Sequence, residues 1–123
     1  MQPLNVVILE SSAEVAQKLQ SSLESHFNYI YLARNLGEAK VAIPNYRAQV
    51  VILDLELVSR SEVEVLRRDF PGICLVCTHR LADEEMWTEM VGAGASDLCY
   101  SADSQSIVSA ALRSTQAAKS IAA

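Results

Sequence analysis

The run VVILDLEL, Val50 to Leu57, constrains this chain more than any other stretch. Four apolar residues, three of them β-branched, lead straight into Asp54. A continuous apolar run bounded by polar residues fits a strand buried on both faces. Such strands belong to parallel sheets covered by helices on both sides, and a carboxylate at the strand's C-terminal end stands where open α/β sheets place their ligands. Asp54 is therefore the first candidate functional residue.

The rest of the chain repeats the pattern. Apolar runs at Leu4–Leu9, Tyr29–Ala33, Gln49 to Leu53 or Asp54, Ile73–Cys77 and Asp97–Tyr100 read as strands. Helices fill the intervals. Ser11 and Glu14 have capping-box spacing, and Val15, Leu19 and Leu23 recur every four residues, which predicts a helix to about His26. Asn35 can cap a second helix with Ala39, Ala42 and Ile43 on its inner side, ended or kinked by Pro44. Ser61 and Glu64 give a second capping-box spacing, with Val63, Leu66 and Phe70 as the helix face and Pro71-Gly72 as its stop. Asp83 opens a fourth helix carrying Met86, Trp87, Met90 and Val91, ended by Gly92 and Gly94. Asp103 or Ser104 caps a fifth, with Ile107, Val108, Ala111 and Leu112 inward, and the Ala/Ser-rich tail from Thr115 continues it, frays or leads elsewhere. Strands separated by single helices favour parallel pairing with right-handed crossovers. The expected fold class is α/β, a doubly wound (βα)5 three-layer sandwich, in one domain over residues 1–123.

Composition removes several function classes. Half the residues are hydrophobic and the formal charge is −5, which disfavours nucleic-acid binding by this domain alone. The basic pair Arg67-Arg68 reads as a solvated helix face. No run approaches the roughly 20 apolar residues of a membrane helix, and no secretory leader is present, so a cytoplasmic location is expected. Cys74 and Cys77 spell C-x-x-C, but within a strand residues three apart face opposite ways. Buried thiols are expected there rather than a metal or redox pair.

The C-terminal strand ends bring Glu10, Ser11, Asp54, Thr78 and Ser101 to one edge. The order of elements, the apolar run into Asp54, Thr78 after the fourth strand and the segment GAGASDLCY together resemble the receiver domain of bacterial response regulators over the whole chain. That resemblance implies a flavodoxin-like fold with strand order 2-1-3-4-5 and a two-component phosphorelay function. It implies Asp54 as phosphoacceptor from a histidine kinase and Thr78 as the switch hydroxyl. It implies Mg²⁺ held by Glu10, Asp54 and the backbone carbonyl of Glu56.

The chain departs from the family at several positions. Ser11 stands where the family carries its main metal-binding Asp, and Ser101 stands at the usual Lys position, where it is a weak phosphate ligand. Ala102 replaces the Pro after that Lys, the loop LELVSRS lacks the usual Pro and Gly, and Leu98 takes the place of the switch aromatic, with Tyr100 two residues on. Losing a charge contact to a phosphoryl transition state costs about 10²- to 10³-fold in rate. Weak Mg²⁺ affinity and slow or absent phosphorylation follow, with Arg80 and His79 the nearest substitutes in sequence. The expected partners are a histidine kinase or another signalling protein, or a second copy through the face of helix 4, strand 5 and helix 5.

Three other readings compete. One is the same fold as a constitutive interaction domain that is never phosphorylated. A second is an Asp-nucleophile phosphohydrolase, since Asp54-Leu55-Glu56 with Thr78 is similar to the haloacid-dehalogenase pattern. That family also needs a Lys and a late acidic pair, and the only Lys after Thr78 is Lys119 in the tail. A flavin or nucleotide binder would need a Gly- or Ser/Thr-rich phosphate loop after strand 1, for which ESSAE is thin. A signalling module rather than an enzyme is the expectation.

Overall fold

A computed structural model describes residues 4–122, with side chains described for residues 4–113. The elements alternate as β1 (Asn5–Leu9), α1 (Ala13–Leu23), β2 (Tyr29–Ala33), α2 (Leu36–Asn45), β3 (Val50–Asp54), α3 (Arg60–Asp69), β4 (Cys74–His79), α4 (Glu84–Gly92), β5 (Asp97–Tyr100) and α5 (Ser104–Ala122). All strand pairs are parallel, in the order β2-β1-β3-β4-β5. This is the flavodoxin-like order implied by the resemblance.

Alternation along the strands builds two cores. Val7, Leu9, Val51, Leu53, Leu75 and Cys77 pack beneath α2, α3 and α4. Val6, Ile8, Val50, Ile52, Cys74 and Val76 pack beneath α1 and α5 with Leu19, Leu23 and Ile107. Cys74 and Cys77 thus point into opposite cores, as the strand period requires. Burial pushes the Cys77 thiol up to about 12. Asp54 and Thr78 continue the β3 and β4 alternation on the α1/α5 side.

Several boundaries differ from the sequence expectation. The N-cap of α1 is Ser12, whose hydroxyl accepts from the Val15 amide at 3.3 Å, and not Ser11. Ser11 is drawn instead to a carboxylate acceptor, which makes the stronger hydrogen bond. The helix ends at Leu23, where His26 and Phe27 amides close the turn on the Leu23 carbonyl. Helix α3 is capped two residues earlier than Ser61, by a reciprocal Ser59–Glu62 box. The sequence SRSEVE contains two overlapping matches, and Val58 turning into the core just before Ser59 favours the first. Strand β4 runs past Cys77, so Thr78 lies within it and not after it. The ladder continues because Leu55 N donates to Thr78 O and Ser101 N to His79 O. His79 is thus a strand end and not a loop residue.

Other features hold as read. Asn35 caps α2, and Pro44 sits in the last turn. Asp83 caps α4, and the Ser106 amide bonds the Asp103 carboxylate at the start of α5. The tail side chains from Thr115 lie outside those described.

Arg67 corrects the reading of a solvated basic pair. Arg68 is exposed, but Arg67 turns into the N-terminal edge of the sheet. Its Nε donates to Gly94 O at 2.8 Å, and its Nη1 to Ile73 O at 2.7 Å and Pro71 O at 3.0 Å. Gly94 adopts φ +113°, and a Cβ there would lie 2.7 Å from Arg67 Cγ. Only glycine suits both demands.

Candidate functional site

Among the described residues the buried polar side chains are Asp54, Thr78 and Ser101. All three stand at the C-terminal edge of the sheet, on β3, on β4 and just after β5. Asp54 is 2 % exposed and is the register partner of Thr78, which in turn pairs with Cys99. Parallel pairing therefore brings these residues together, as the strand-end reading required.

Asp54 is held by main-chain and side-chain donors. Its Oδ2 accepts from Ser11 N at 2.9 Å and from Ser11 Oγ at 2.5 Å, and its Oδ1 accepts from Glu56 N at 2.9 Å. Glu10 is half-buried, and its Oε2 accepts from Ser12 N at 3.0 Å. Burial, followed by the neighbouring Asp54, pushes Glu10 up from 4.5 to about 7. For Asp54 burial acts upward too, but hydrogen bonds from Glu10, from the Ser11 hydroxyl and from the Glu56 and Ser11 amides outweigh it, and its carboxyl is held below the usual range. The proton of the pair therefore belongs to Glu10 in preference to Asp54. Two close carboxylates separate in this way because both cannot ionise freely.

Thr78 is 1 % exposed, and its Oγ1 has no hydrogen-bond partner. A buried orphan hydroxyl costs about 1–3 kcal/mol. It is an unspent donor on the strand beside a buried carboxylate. Ser101 is buried just after β5, and it lines a depression of about 520 Å³ together with Val15, Arg80, Tyr100, Ala102 and Asp103.

The two substitute groups do other work. Arg80 Nε lies 2.5 Å from Glu56 Oε1, so its charge is engaged across the mouth of the site and not on Asp54. His79 Nδ1 accepts from Leu81 N and turns towards its own loop. The Arg80–Glu56 pair was legible in one respect: each residue lies two positions past a register partner, Thr78 and Asp54 respectively. The donor role of Ser11 had no sequence signal beyond its place after β1.

The donor set does not fit a divalent cation well. Among the described residues no group of three or more His, Cys, Asp or Glu side chains could hold a metal ion. Mg²⁺ demands oxygen ligands free to face it. Here Ser11 donates to Asp54, the Ser12 amide donates to Glu10, and Arg80 neutralises Glu56.

On the α4–β5–α5 side, Trp87 is 45 % exposed and its Nε1 donates to Asp97 Oδ1 at 2.9 Å. Arg113 bridges Asp97 Oδ2 at 3.1 Å. Leu98 is buried, whereas Tyr100, on the same strand face, is exposed. Among the described residues no helix is long and apolar enough to cross a membrane.

No family model and no curated protein matches this sequence. Solved structures match the fold over nearly its full length. The signal receiver domain of a putative LuxO repressor protein from Vibrio parahaemolyticus is similar with a TM-score of 0.83 and 15% identity, over 96% of this chain and 94% of that one. A CheY-like response regulator receiver domain protein from Methanospirillum hungatei JF-1 gives 0.82 and 15%, over 97% and 98%. The N-terminal signal receiver domain of a two-component response regulator from Bacteroides fragilis gives 0.82 and 19%, over 92% and 97%.

Proposed function

We propose that this chain, which has the fold of response regulator receiver domains, is a receiver-like signalling module acting by protein–protein contact. Asp54 is its phosphoacceptor and Thr78 the hydroxyl that reports the phosphoryl group. The observation that carries this reading is the confinement, among the described residues, of the buried polar side chains to Asp54, Thr78 and Ser101 at one sheet edge. A core that expels polar groups elsewhere retains them where they have work to do.

In the proposed reaction an Asp54 oxygen takes the phosphoryl group from a phosphohistidine. An O–P bond forms as the N–P bond breaks, and the imidazole, already protonated from solvent on its other ring nitrogen, leaves neutral. The Thr78 hydroxyl then gains a phosphoryl oxygen as its missing acceptor, which biases the loop after β4 towards the site. Transfer is slow, because neither Ser101 nor Arg80 supplies a free cation at Asp54. Glu10, Asp54 and the backbone carbonyl of Glu56 hold Mg²⁺ weakly at most. The same reading takes residues 1–123 as one non-enzymatic domain in the cytoplasm. Its partner is a histidine kinase or another signalling protein, or a second copy through the α4–β5–α5 face, where Trp87 and Tyr100 are exposed.

One observation favours a second reading, a constitutive interaction domain. Ser11 N, Ser11 Oγ and Glu56 N already satisfy the Asp54 carboxylate. Acetyl phosphate or beryllofluoride with Mg²⁺ separates the two. The first reading expects amide shifts around Asp54, Thr78 and Ser101 that vanish in Asp54→Asn. Unchanged amides at saturation leave the constitutive domain.

A further inference from the structure

The two outer strands of the sheet are finished differently. At β5 the first residue, Asp97, accepts from Trp87 Nε1 of α4 at 2.9 Å and from Arg113 of α5 at 3.1 Å, so side chains from both helical layers meet over that strand. Charges and covering side chains are the usual means of keeping an outer strand from adding another. β2 carries no such device. It reads YIYLA, without a charge or a proline, and among the described residues it pairs with β1 alone.

Exposed apolar side chains flank β2 on both faces. Tyr29 is 41 % exposed and Leu32 40 %, on opposite faces of the strand, and Tyr46 and Val41 of the neighbouring α2 segment are exposed beside Tyr29 and Tyr31. The Tyr46 ring stacks on Tyr29 at 4.7 Å between centroids and on Tyr31 at 5.2 Å. Stacked rings are already ordered, so docking on them costs little side-chain entropy. The nearest charges past the strand exit, Arg34 and Glu38, neutralise each other at 3.1 Å. Two copies of a chain with a formal charge of −5 therefore meet here over an uncharged strip.

We propose that the outer side of β2 is a docking surface for a second copy of this chain, paired antiparallel about a two-fold axis through Tyr31. That register sets Tyr29 opposite Ala33 and Ile30 opposite Leu32, a large residue against a small one on the first face and two aliphatics on the second, with each face preserved. A two-fold contact uses the same surface twice and closes, and the covered β5 strand stops further growth. A strip ~17 Å long and ~30 Å deep through three layers presents roughly 500 Å² per copy, so about 1,000 Å² in all, the lower limit of a specific interface. The dimer is accordingly weak and concentration-dependent. It lies at the opposite side of the sheet from the α4–β5–α5 face and does not rest on the chemistry of Asp54.

The test is sedimentation equilibrium of the full chain from about 10 µM to 1 mM, the range expected for an interface of this size. A monomer–dimer equilibrium is expected. In a mixture of labelled and unlabelled chains, isotope-filtered NOEs should join Ile30 of one copy to Leu32 of the other. Leu32→Lys puts a charge on the strip and should weaken the dimer at least tenfold, and Tyr29→Lys should do the same from the other face. Both side chains are exposed, so the fold tolerates the changes, and Tyr100→Lys on β5 should leave the dimer unchanged. A chain that stays monomeric throughout, whatever other protein the strand takes, overturns the proposal. So does a dimer that survives both β2 variants or is lost in Tyr100→Lys. A chain that takes up no acetyl phosphate leaves this equilibrium unaffected, so the two readings fail separately.

Discussion

The two edges of the sheet hold charge in opposite ways. At the N-terminal edge Arg67 spreads one guanidinium over the carbonyls of Pro71, Ile73 and Gly94 and adds a weaker contact to Ser96 Oγ. The charge ties α3 to the entries of β4 and β5. At the C-terminal edge a buried carboxylate sits beside a carboxyl pushed up to about 7 and an orphan hydroxyl. Each edge leaves one buried polar atom unpartnered, Asn5 Oδ1 at the first and Thr78 Oγ1 at the second, so what separates them is the charge: a guanidinium spread over carbonyls at the first, a buried carboxylate at the second.

This contrast predicts opposite signs for polar deletions. Arg67→Leu strips donors from several carbonyls at once. It should destabilise the fold by about 3 kcal/mol in urea unfolding, since bonds to a charged donor contribute about 1.5–3 kcal/mol each and do not add fully. A neutral effect would dissolve the comparison. At the other edge Thr78→Val removes an orphan hydroxyl at nearly constant shape, and it should stabilise the chain by about 1 kcal/mol. A loss of stability would mean that the Thr78 hydroxyl is already satisfied.

The smallest effect concerns pH. The folded-state value of Glu10 lies above its ordinary 4.5. Its protonated form is therefore the one the fold favours. The contribution is fully present below about pH 4.5 and is lost as pH rises through about 7. In metal-free buffer the native chain should lose melting temperature across that window, and Glu10→Gln should flatten the loss. The amplitude is modest, because Glu10 is only half-buried and solvent screens it. Equal slopes for the two proteins would remove Glu10 from the pair.

The architecture was legible because it rests on local periodicities. Five β-rich runs and the helix faces between them fix which residues point inward, and β2 and β5 begin and end where the runs do. The caps were less legible, since Ser59-x-x-Glu62 and Ser61-x-x-Glu64 are equivalent as strings and only the burial of Val58 separates them. The membership of the site followed from strand ends. What each member does there did not: Ser11 looked like a cap and is a donor to Asp54, and Arg80 looked like a substitute cation and is bound to Glu56.

The sequence by itself determined the layers, the strand order implied by its resemblance, and the meeting of Glu10, Asp54, Thr78 and Ser101 at one edge. Tertiary structure alone decided the state of that edge. Hydrogen bonds between loops 43 and 24 residues apart choose which oxygen receives Ser11 and which carboxylate receives Arg80. The hydrogen bonds gathered on Asp54, which outweigh its own burial, then choose which carboxyl of the pair keeps the proton. Both choices turn on distances of a few ångströms and on exclusion of water, and neither is carried by the local pattern of a strand or a helix.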